Sequence, residues 1–198
     1  MKISPPARAL LAMAAAHWCV CAQGSFRAAV FNYAGVPHAI LAPALEKARM
    51  AFLGVRIGSR WVICDPEGCE GRLPAGSYLE IFVMPRLRTP LSGPSLDHAA
   101  GYAMPSGFAR PRAYAFYDAA NEVAQRTARP LDLVLGCILI HEAGHLLGLP
   151  HGRSGVMRPE LEGADMDSAA RGRAFSAEEG KELSKMLNGR TTLRAAFR

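Results

Sequence analysis

The sequence has no apolar run long enough to cross a lipid bilayer. Its amino-terminal apolar stretch, residues 9–20, is much shorter than the roughly 20 residues that a transmembrane helix needs. No later segment is both longer and sufficiently apolar. An integral membrane protein is therefore excluded, and we expect no membrane contact once the amino-terminal segment has been removed.

The same stretch instead predicts a secretory signal peptide. Lys2 and Arg8 provide a basic start, residues 9–20 are apolar, and the sequence Val-Cys-Ala at residues 20–22 offers small residues for cleavage. This pattern predicts cleavage after Ala22, within two residues, and export to the periplasm or the extracellular space. The alternative is a membrane anchor, which the short apolar core disfavours.

The mature chain, residues 23–198, has the length of a single globular domain. Half of the residues in the full sequence are hydrophobic and 20% are charged, which is ordinary globular composition. There is no internal repeat and no low-complexity tract. We expect one domain and a monomer. Only a few residues separate Ala22 from the first predicted strand, so we also expect no inhibitory pro-segment.

The sequence also lacks a cluster of positive charge. It has 23 Lys and Arg against 17 Asp and Glu, for a formal net charge of +6. Loss of residues 1–22 removes Lys2 and Arg8 and no acidic residue, which leaves 21 basic residues against 17 acidic ones and a charge of +4. Because the arginines are scattered, we expect no nucleic-acid partner.

Cysteines are few, and they do not form two pairs at zinc-knuckle spacing. Cys64 and Cys69 flank the turn sequence Asp-Pro-Glu-Gly, so an exported chain can join them in a disulfide; the alternative is two free thiols. Without a second pair, the cysteines do not have the four-ligand pattern of a zinc knuckle. Cys137 lies in an apolar helix and is expected to be a small buried hydrophobe.

Periodicity predicts strands and helices in an order typical of an α+β fold. An early amphipathic helix covers residues 37–52, and Pro43 either starts it or kinks it. We expect a twisted, mixed and mostly parallel sheet with this early helix, a buried central helix and a terminal helix. The predicted strands are 27–34, 60–64, 78–84, 99–104 and 112–118; the later helices are 118–129, 131–147 and 176–187, and residues 85–98 form a loop. The acidic residues between positions 160 and 167 lack the alternation of a calcium-binding loop, so we expect an irregular, solvated loop there.

The most informative stretch is HEAGHLLGLPH at residues 141–151. His141 and His145 are four apart, so on a helix their imidazoles lie on one face and can bind the same metal ion. Glu142 is rotated by about 100° from His141, which leaves it free to reach a water molecule on that ion. Chance placement would produce this spacing in about 3 of 100,000 chains of similar composition.

Gly148 allows the chain to bring a third ligand, His151, to the two helical histidines. Gly148 can take the left-handed conformation that ends a helix, and Pro150 prevents the helix from continuing. The chain then returns to place His151 beside the two helical histidines. Three neutral imidazoles plus a water molecule form the open arrangement of catalytic zinc, whereas structural zinc sites are closed by four protein ligands.

With Met157 following shortly after, this stretch resembles the metzincin clan of zinc endopeptidases. In its short spacing from the third histidine to the Met-turn and in its small size, the chain is most similar to matrixin-type or related minimal bacterial members. The resemblance implies one Zn²⁺ held by His141, His145 and His151, and Glu142 as the general base that takes a proton from the attacking water. It also implies a Met-turn at residues 154–157, with the Met157 thioether beneath the metal.

The resemblance further implies how a polypeptide substrate binds. In such enzymes an edge strand beside the active-site helix binds the substrate by strand addition. The candidate is residues 99–104, with Gly101 and Tyr102 as substrate-binding residues. Arg158 and Pro159, after the Met-turn, are expected to wall the pocket for the residue that follows the cleaved bond.

The leading hypothesis is therefore a secreted zinc endopeptidase acting on polypeptides. A second hypothesis is a metzincin-like protein that binds zinc without catalysis, although the carboxylate and all three ligands are present. A third is a structural zinc domain, which an open site with three ligands fits poorly.

Overall fold

A six-stranded sheet forms one layer of the molecule. The structure is a computed structural model that describes residues 24–65, 67–69, 79–86, 100–104 and 111–196. The predicted signal peptide, most of the predicted 85–98 loop and the first residues of two predicted strands lie outside these ranges. The strands are β1 (Ser25–Asn32), β2 (Gly58–Asp65), β3 (Gly68–Cys69), β4 (Leu79–Met84), β5 (Gly101–Met104) and β6 (Arg112–Phe116).

The strand order is β3-β2-β1-β4-β6-β5. The three central pairings, β2 with β1, β1 with β4 and β4 with β6, are all parallel. The outer strands β3 and β5 pair antiparallel to β2 and β6. The predicted α+β fold with a mostly parallel sheet is confirmed. The candidate substrate strand, β5, lies at an edge of this sheet.

Helices and one short turn complete the described fold. They are α1 (His38–Gly54), α2 (Tyr117–Thr127), α3 (Leu131–Leu147), a 3₁₀ turn (Gly155–Met157), α4 (Gly163–Ala170) and α5 (Ala177–Ala196). Alternate strand residues point toward the helices; on β4 these are Leu79, Ile81 and Val83, all buried. A search of the described helices finds none with the length and apolarity to span a membrane.

Helix α3 lies at the centre of the core. It contacts α1, α2, α4, α5 and strands β4, β5 and β6. All of its 17 residues are buried except Leu131, Asp132 and His145. A helix that is apolar on every side must be covered on every side, and these surrounding elements provide the cover. Its bounds match the predicted 131–147.

The structure excludes one alternative for α1 and corrects the predicted end of α5. Helix α1 begins at His38 and continues through Pro43, so Pro43 does not start it; buried Leu41, Ala44 and Leu45 around the proline offset the lost backbone hydrogen bond. Helix α5 continues past Gly189 to Ala196. A helical glycine costs only about 1 kcal/mol relative to alanine, and no proline follows to stop the helix.

Helix α4 replaces a stretch that the sequence pattern predicts to be an irregular, solvated loop. Glu162 and Asp165 form a capping box at its start, in which each side chain accepts a hydrogen bond from the other residue's backbone. Asp165 is only 8% exposed. The prediction is wrong here because eight residues are too few to show helical periodicity.

The structure contains the predicted disulfide between Cys64 and Cys69. It joins the end of β2 to the two-residue strand β3, where the two cysteines are register partners. Cys137 is a free, fully buried thiol, and burial raises its pKa to about 12. It therefore stays protonated and packs as a small hydrophobe.

We expect the double substitution Cys64→Ala, Cys69→Ala to lower the free energy of unfolding by about 2 kcal/mol, the loop-closure entropy expected for a short loop. The sequence separation is only 5. Urea denaturation of the oxidised protein and the variant measures the difference. Reduced wild-type protein is the control and should match the variant; equal stability of variant and oxidised protein would contradict the prediction.

Candidate metal centre

Helix α3 presents two histidines on one face. His141 and His145 are four residues apart, and their ring centroids are 4.5 Å apart. Their Nε2 atoms are 2.9 Å from each other. His141 is buried and His145 is half-buried. One zinc ion can bind two nitrogen atoms that are up to about 4 Å apart, which is twice the zinc–nitrogen bond length. The helix therefore holds these two imidazole nitrogens close enough to share one metal ion.

The turn after α3 brings the third histidine to them. Gly148 has a φ of 107°, in the left-handed region, and Leu149 donates its N–H to the Gly144 carbonyl oxygen at 2.9 Å. The ring of His151 then lies 4.6 Å from that of His145 and 5.3 Å from that of His141. One ligand atom of each histidine lies within 4.8 Å of the others.

Two backbone carbonyls fix the orientation of the helical rings. His141 Nδ1 is 2.6 Å from the Val156 carbonyl oxygen, and His145 Nδ1 is 2.8 Å from that of Leu149. Because a carbonyl oxygen only accepts, each Nδ1 carries the proton and each Nε2 has a lone pair. Two lone pairs thus face each other with no proton between them. This arrangement suits a cation, and such Nδ1–carbonyl bonds orient metal-binding histidines.

The electrostatics favour neutral ligands. Burial lowers the pKa of His141 to about 4, outweighing the hydrogen bond to Val156, which raises it. Burial also lowers the pKa of His145. Metal binding needs deprotonated nitrogen atoms, and His141 provides one without a proton to displace at neutral pH. Within the described ranges, no other group of histidines, cysteines or carboxylates could hold a metal ion.

The 3₁₀ turn lies directly against α3. Met157 is fully buried, and a Cβ placed on Gly144 would lie 2.6 Å from the Met157 sulfur. The thioether therefore touches the helix backbone one residue before His145. This contact depends on glycine at position 144, because any side chain there would displace Met157.

A buried carboxylate holds this turn in place. Asp165 Oδ1 accepts a hydrogen bond from the Gly155 N–H at 2.9 Å, and Val156 donates its N–H to the Ala174 carbonyl oxygen at 3.3 Å. The carbonyl oxygen of Val156, the residue after Gly155, accepts the hydrogen bond from His141 Nδ1. Asp165 is thus connected to a histidine ring through one short turn.

Glu142 lies beside these histidines in sequence and is only 3% exposed. Its Oε2 atom is buried and has no hydrogen-bond partner among the described residues. Burial raises the pKa of this carboxyl to about 8. A bound cation nearby would act in the opposite direction, because it stabilises the carboxylate. Glu142 Oε2 can therefore accept a hydrogen bond from a bound donor.

Strand β5 passes next to Glu142. A Cβ placed on Gly101 would lie 2.2 Å from Glu142 Oε1, so the strand backbone is in direct contact with the carboxylate. Tyr102, the next residue, points to the opposite face of the sheet and is 37% exposed. Of these two predicted substrate-binding residues, Gly101 lies at the site and the Tyr102 side chain points away from it.

The two predicted pocket residues follow the 3₁₀ turn. Arg158 is half-buried and forms ion pairs with Glu162 at 2.6 Å and Asp165 at 3.7 Å. Pro159 is exposed. Their contribution to a substrate pocket stays a prediction. His38, at the start of α1, is exposed and lies outside the histidine group, and His98 falls outside the described ranges.

Sequence reasoning missed several groups that build the site. The carbonyls of Val156 and Leu149 cannot be identified from residue type, since every residue has one. Asp165 could be recognised only as the capping partner of Glu162. Gly144 carried a signal, because a glycine inside a buried helix costs stability unless something packs closely against it.

Comparison with protein-family models finds no match, and comparison with curated proteins finds none either. Five solved chains are similar, including the two that follow. One is a zinc-dependent peptidase from Methanocorpusculum labreanum, with a TM-score of 0.49, 14% identity, and coverage of 79% of this chain and 99% of that one. The other is archaemetzincin from Methanopyrus kandleri, with a TM-score of 0.50, 15% identity, and coverage of 83% and 96%.

At this identity the similarity to archaemetzincin shows the fold and nothing more. Neither structure is described as a matrixin, so the matrixin-type placement stays a prediction. The chain thus has the fold of an archaemetzincin, with three histidines brought together and a buried glutamate next to His141 in the sequence.

Proposed function

We propose that this chain is a secreted zinc-dependent endopeptidase. His141, His145 and His151 hold the ion, and Glu142 is the general base. One observation carries the proposal: the Nε2 lone pairs of the two helical histidines converge, and the residue that follows His141 on the same helix is a buried glutamate whose Oε2 has no hydrogen-bond partner among the described residues. A helix that served only the core would not need a buried, unpartnered acceptor directly after one of its histidines.

The donor set fits zinc. Three imidazoles without a fourth protein ligand are typical of catalytic zinc sites, whereas structural sites have four. When bound, zinc would lower the pKa of a water ligand toward neutrality and polarise the carbonyl of the scissile bond. The protein supplies the fixed orientations of the His141 and His145 rings through the Val156 and Leu149 carbonyls, and it buries His141 and Glu142 while His151 stays exposed.

Glu142 performs the proton transfers. Its Oε2 accepts a proton from the attacking water and then gives that proton to the nitrogen of the leaving amine. The free acceptor position and the burial of this carboxylate suit both steps, because no competing donor occupies it. One proton enters and leaves the carboxylate in each turnover, so Glu142 ends the cycle ionised as it began.

The edge of the sheet provides a place for a polypeptide. The Ala100 carbonyl oxygen accepts a hydrogen bond from the Phe116 N–H at 2.9 Å, and Gly101 is the register partner of Ala115. In an antiparallel ladder this makes Gly101 a non-hydrogen-bonded position. Its N–H and C=O therefore point away from β6, where an extended substrate could add as a strand. Arg158 and Pro159 would wall the adjacent pocket.

Export is supported by the amino-terminal sequence and by cysteine chemistry. Residues 1–22 have the composition of a signal peptide, and the Cys64–Cys69 disulfide is typical of an oxidising compartment. Together these favour a secreted protein over one that stays in the cytosol.

The substitution Glu142→Gln tests the general base. We expect kcat for cleavage of an unfolded protein substrate to fall at least about 100-fold, because the amide cannot accept the proton. The metal content should stay at one ion per chain, since no ligand changes. Peptide-library cleavage and metal analysis of the same preparation measure both. A fully active variant would remove Glu142 from this role, and zinc binding without any wild-type cleavage would favour a non-catalytic binding protein.

Zinc should stabilise the wild-type fold but not a variant that lacks a ligand. At a zinc concentration 100-fold above Kd, we expect the Tm of the metal-free protein to rise by about 5–10 °C. In His145→Ala the rise should be largely lost. The control is His38→Ala, at an exposed position on α1, which should respond like the wild type. An equal rise in His145→Ala would exclude His145 as a ligand.

Asp165→Ala should weaken zinc binding about 10- to 100-fold, the usual effect of removing a group that supports a metal ligand. The Gly155 N–H loses its acceptor, and the Val156 carbonyl that orients His141 loses its support. Competition with a chelator measures the affinity. Asp167→Ala is the matched control: it lies on the same helix and pairs with Arg129 at 2.7 Å, away from the turn. Equal zinc affinity in the two variants would refute the support.

A further inference from the structure

We infer that Gly101 is a positioning residue for the Glu142 carboxylate, an inference that rests on the proposed function and deepens it. A Cβ at position 101 would lie 2.2 Å from Glu142 Oε1, 2.7 Å from its Cδ and 2.8 Å from its Cγ. Real Cβ atoms do not approach other heavy atoms this closely. The clash involves the stem of the side chain as well as its tip, so rotating the carboxylate does not relieve it.

The backbone conformation does not explain the glycine. Gly148, at the end of α3, needs glycine because its φ of 107° is in the left-handed region. Gly101 is different, because its φ is not among the positive values in the chain. Alanine could adopt the backbone of Gly101 without strain. What forbids a side chain at position 101 is the space that Glu142 occupies.

Neither partner can move away cheaply. Glu142 belongs to a helix that is covered on every side, and its own side chain is 3% exposed. Strand β5 is held to β6 by four register pairs, from Gly101 with Ala115 to Met104 with Arg112. A methyl group at position 101 would therefore push the carboxylate from its place or separate β5 from the sheet.

The consequence concerns the geometry of the reaction. The backbone N–H and C=O of Gly101 face the outer edge of the described sheet, while its Cα touches the Glu142 carboxylate. One residue thus sets both where a substrate strand would lie and where the proton acceptor lies relative to it. Misplacing a catalytic group by about 1 Å can cost on the order of 100-fold in rate.

A double-mutant cycle on the zinc-free protein tests the contact without any activity. We expect Gly101→Ala to lower the Tm by at least about 2 °C in the wild type, as overpacking does. The loss should be the same in a Glu142→Gln background, because glutamine has the same shape. In a Glu142→Ala background the loss should largely disappear. An equal loss in all three backgrounds would overturn the inference.

Zinc-loaded protein tests the positioning itself. Gly101→Ala should lower kcat for peptide cleavage by about 10- to 100-fold, while chelator competition shows unchanged zinc affinity. Gly189→Ala is the matched control, because a Cβ there meets no atom within 4 Å; its kcat and zinc affinity should stay at wild-type values. Wild-type kcat in Gly101→Ala would overturn the positioning role.

The Tm cycle and the kcat measurement together distinguish failure of this inference from failure of the proposed function. If wild-type protein cleaves no peptide while the Tm cycle shows the coupling, the proposed function fails and the contact between Gly101 and Glu142 stands. If wild-type protein is an active peptidase and the coupling is absent, the proposed function stands and the role of Gly101 fails.

Discussion

The metal centre depends on two hydrogen bonds from imidazole to backbone carbonyl. The Nδ1–H of His141 donates a hydrogen bond to the Val156 carbonyl oxygen, and that of His145 donates one to the Leu149 carbonyl oxygen. These bonds turn both Nε2 lone pairs toward one point. Both carbonyls belong to the chain that leaves α3, so the end of the helix and the turn beyond it must be correct before the rings can align. The path of the chain after His145 therefore determines the chemistry at His145 itself.

The buried position of α3 makes this alignment rigid. The helix is apolar on every side, and the sheet, α1 and the carboxy-terminal elements cover it. Burial has two effects at the site. It keeps His141 neutral, since desolvation lowers its pKa to about 4, and it leaves Glu142 without solvent to satisfy Oε2. A partly exposed helix would have hydrated the carboxylate and allowed the histidines to titrate near neutral pH. The hydrophobic pattern of residues 131–147 is thus a requirement of the site as well as of the fold.

What could be predicted from sequence is what local rules determine. Helix α3 matches its predicted bounds because a long apolar run, a proline before it and Gly148 after it are all readable in one window. The spacing of His141, His145 and the later third histidine follows from helix geometry alone. Helix α4 and the burial of Asp165 could not be read in this way, because eight residues show no clear period and the carboxylate is buried by a turn ten residues earlier in the chain. The proximity of Gly101 to Glu142 is a tertiary contact between a strand and a helix 41 positions apart, and no window covers both.

Close approach at glycine links these observations. Strand β5 approaches α3 through Gly101, which lies beside Glu142. The Met157 thioether contacts α3 at Gly144. On α5, Met186 packs against Gly148, where an added Cβ would lie 2.7 Å from the Met186 sulfur. Three separate elements thus meet α3 and its carboxy-terminal cap within a stretch of about two turns, and at each meeting a missing side chain permits the contact. A larger residue at any of them would hold one element away from α3, and the packing that buries His141 and Glu142 would be lost. The glycines near this site do more than end a helix, because they allow the surrounding elements to approach closely enough to keep His141 and Glu142 buried and in place.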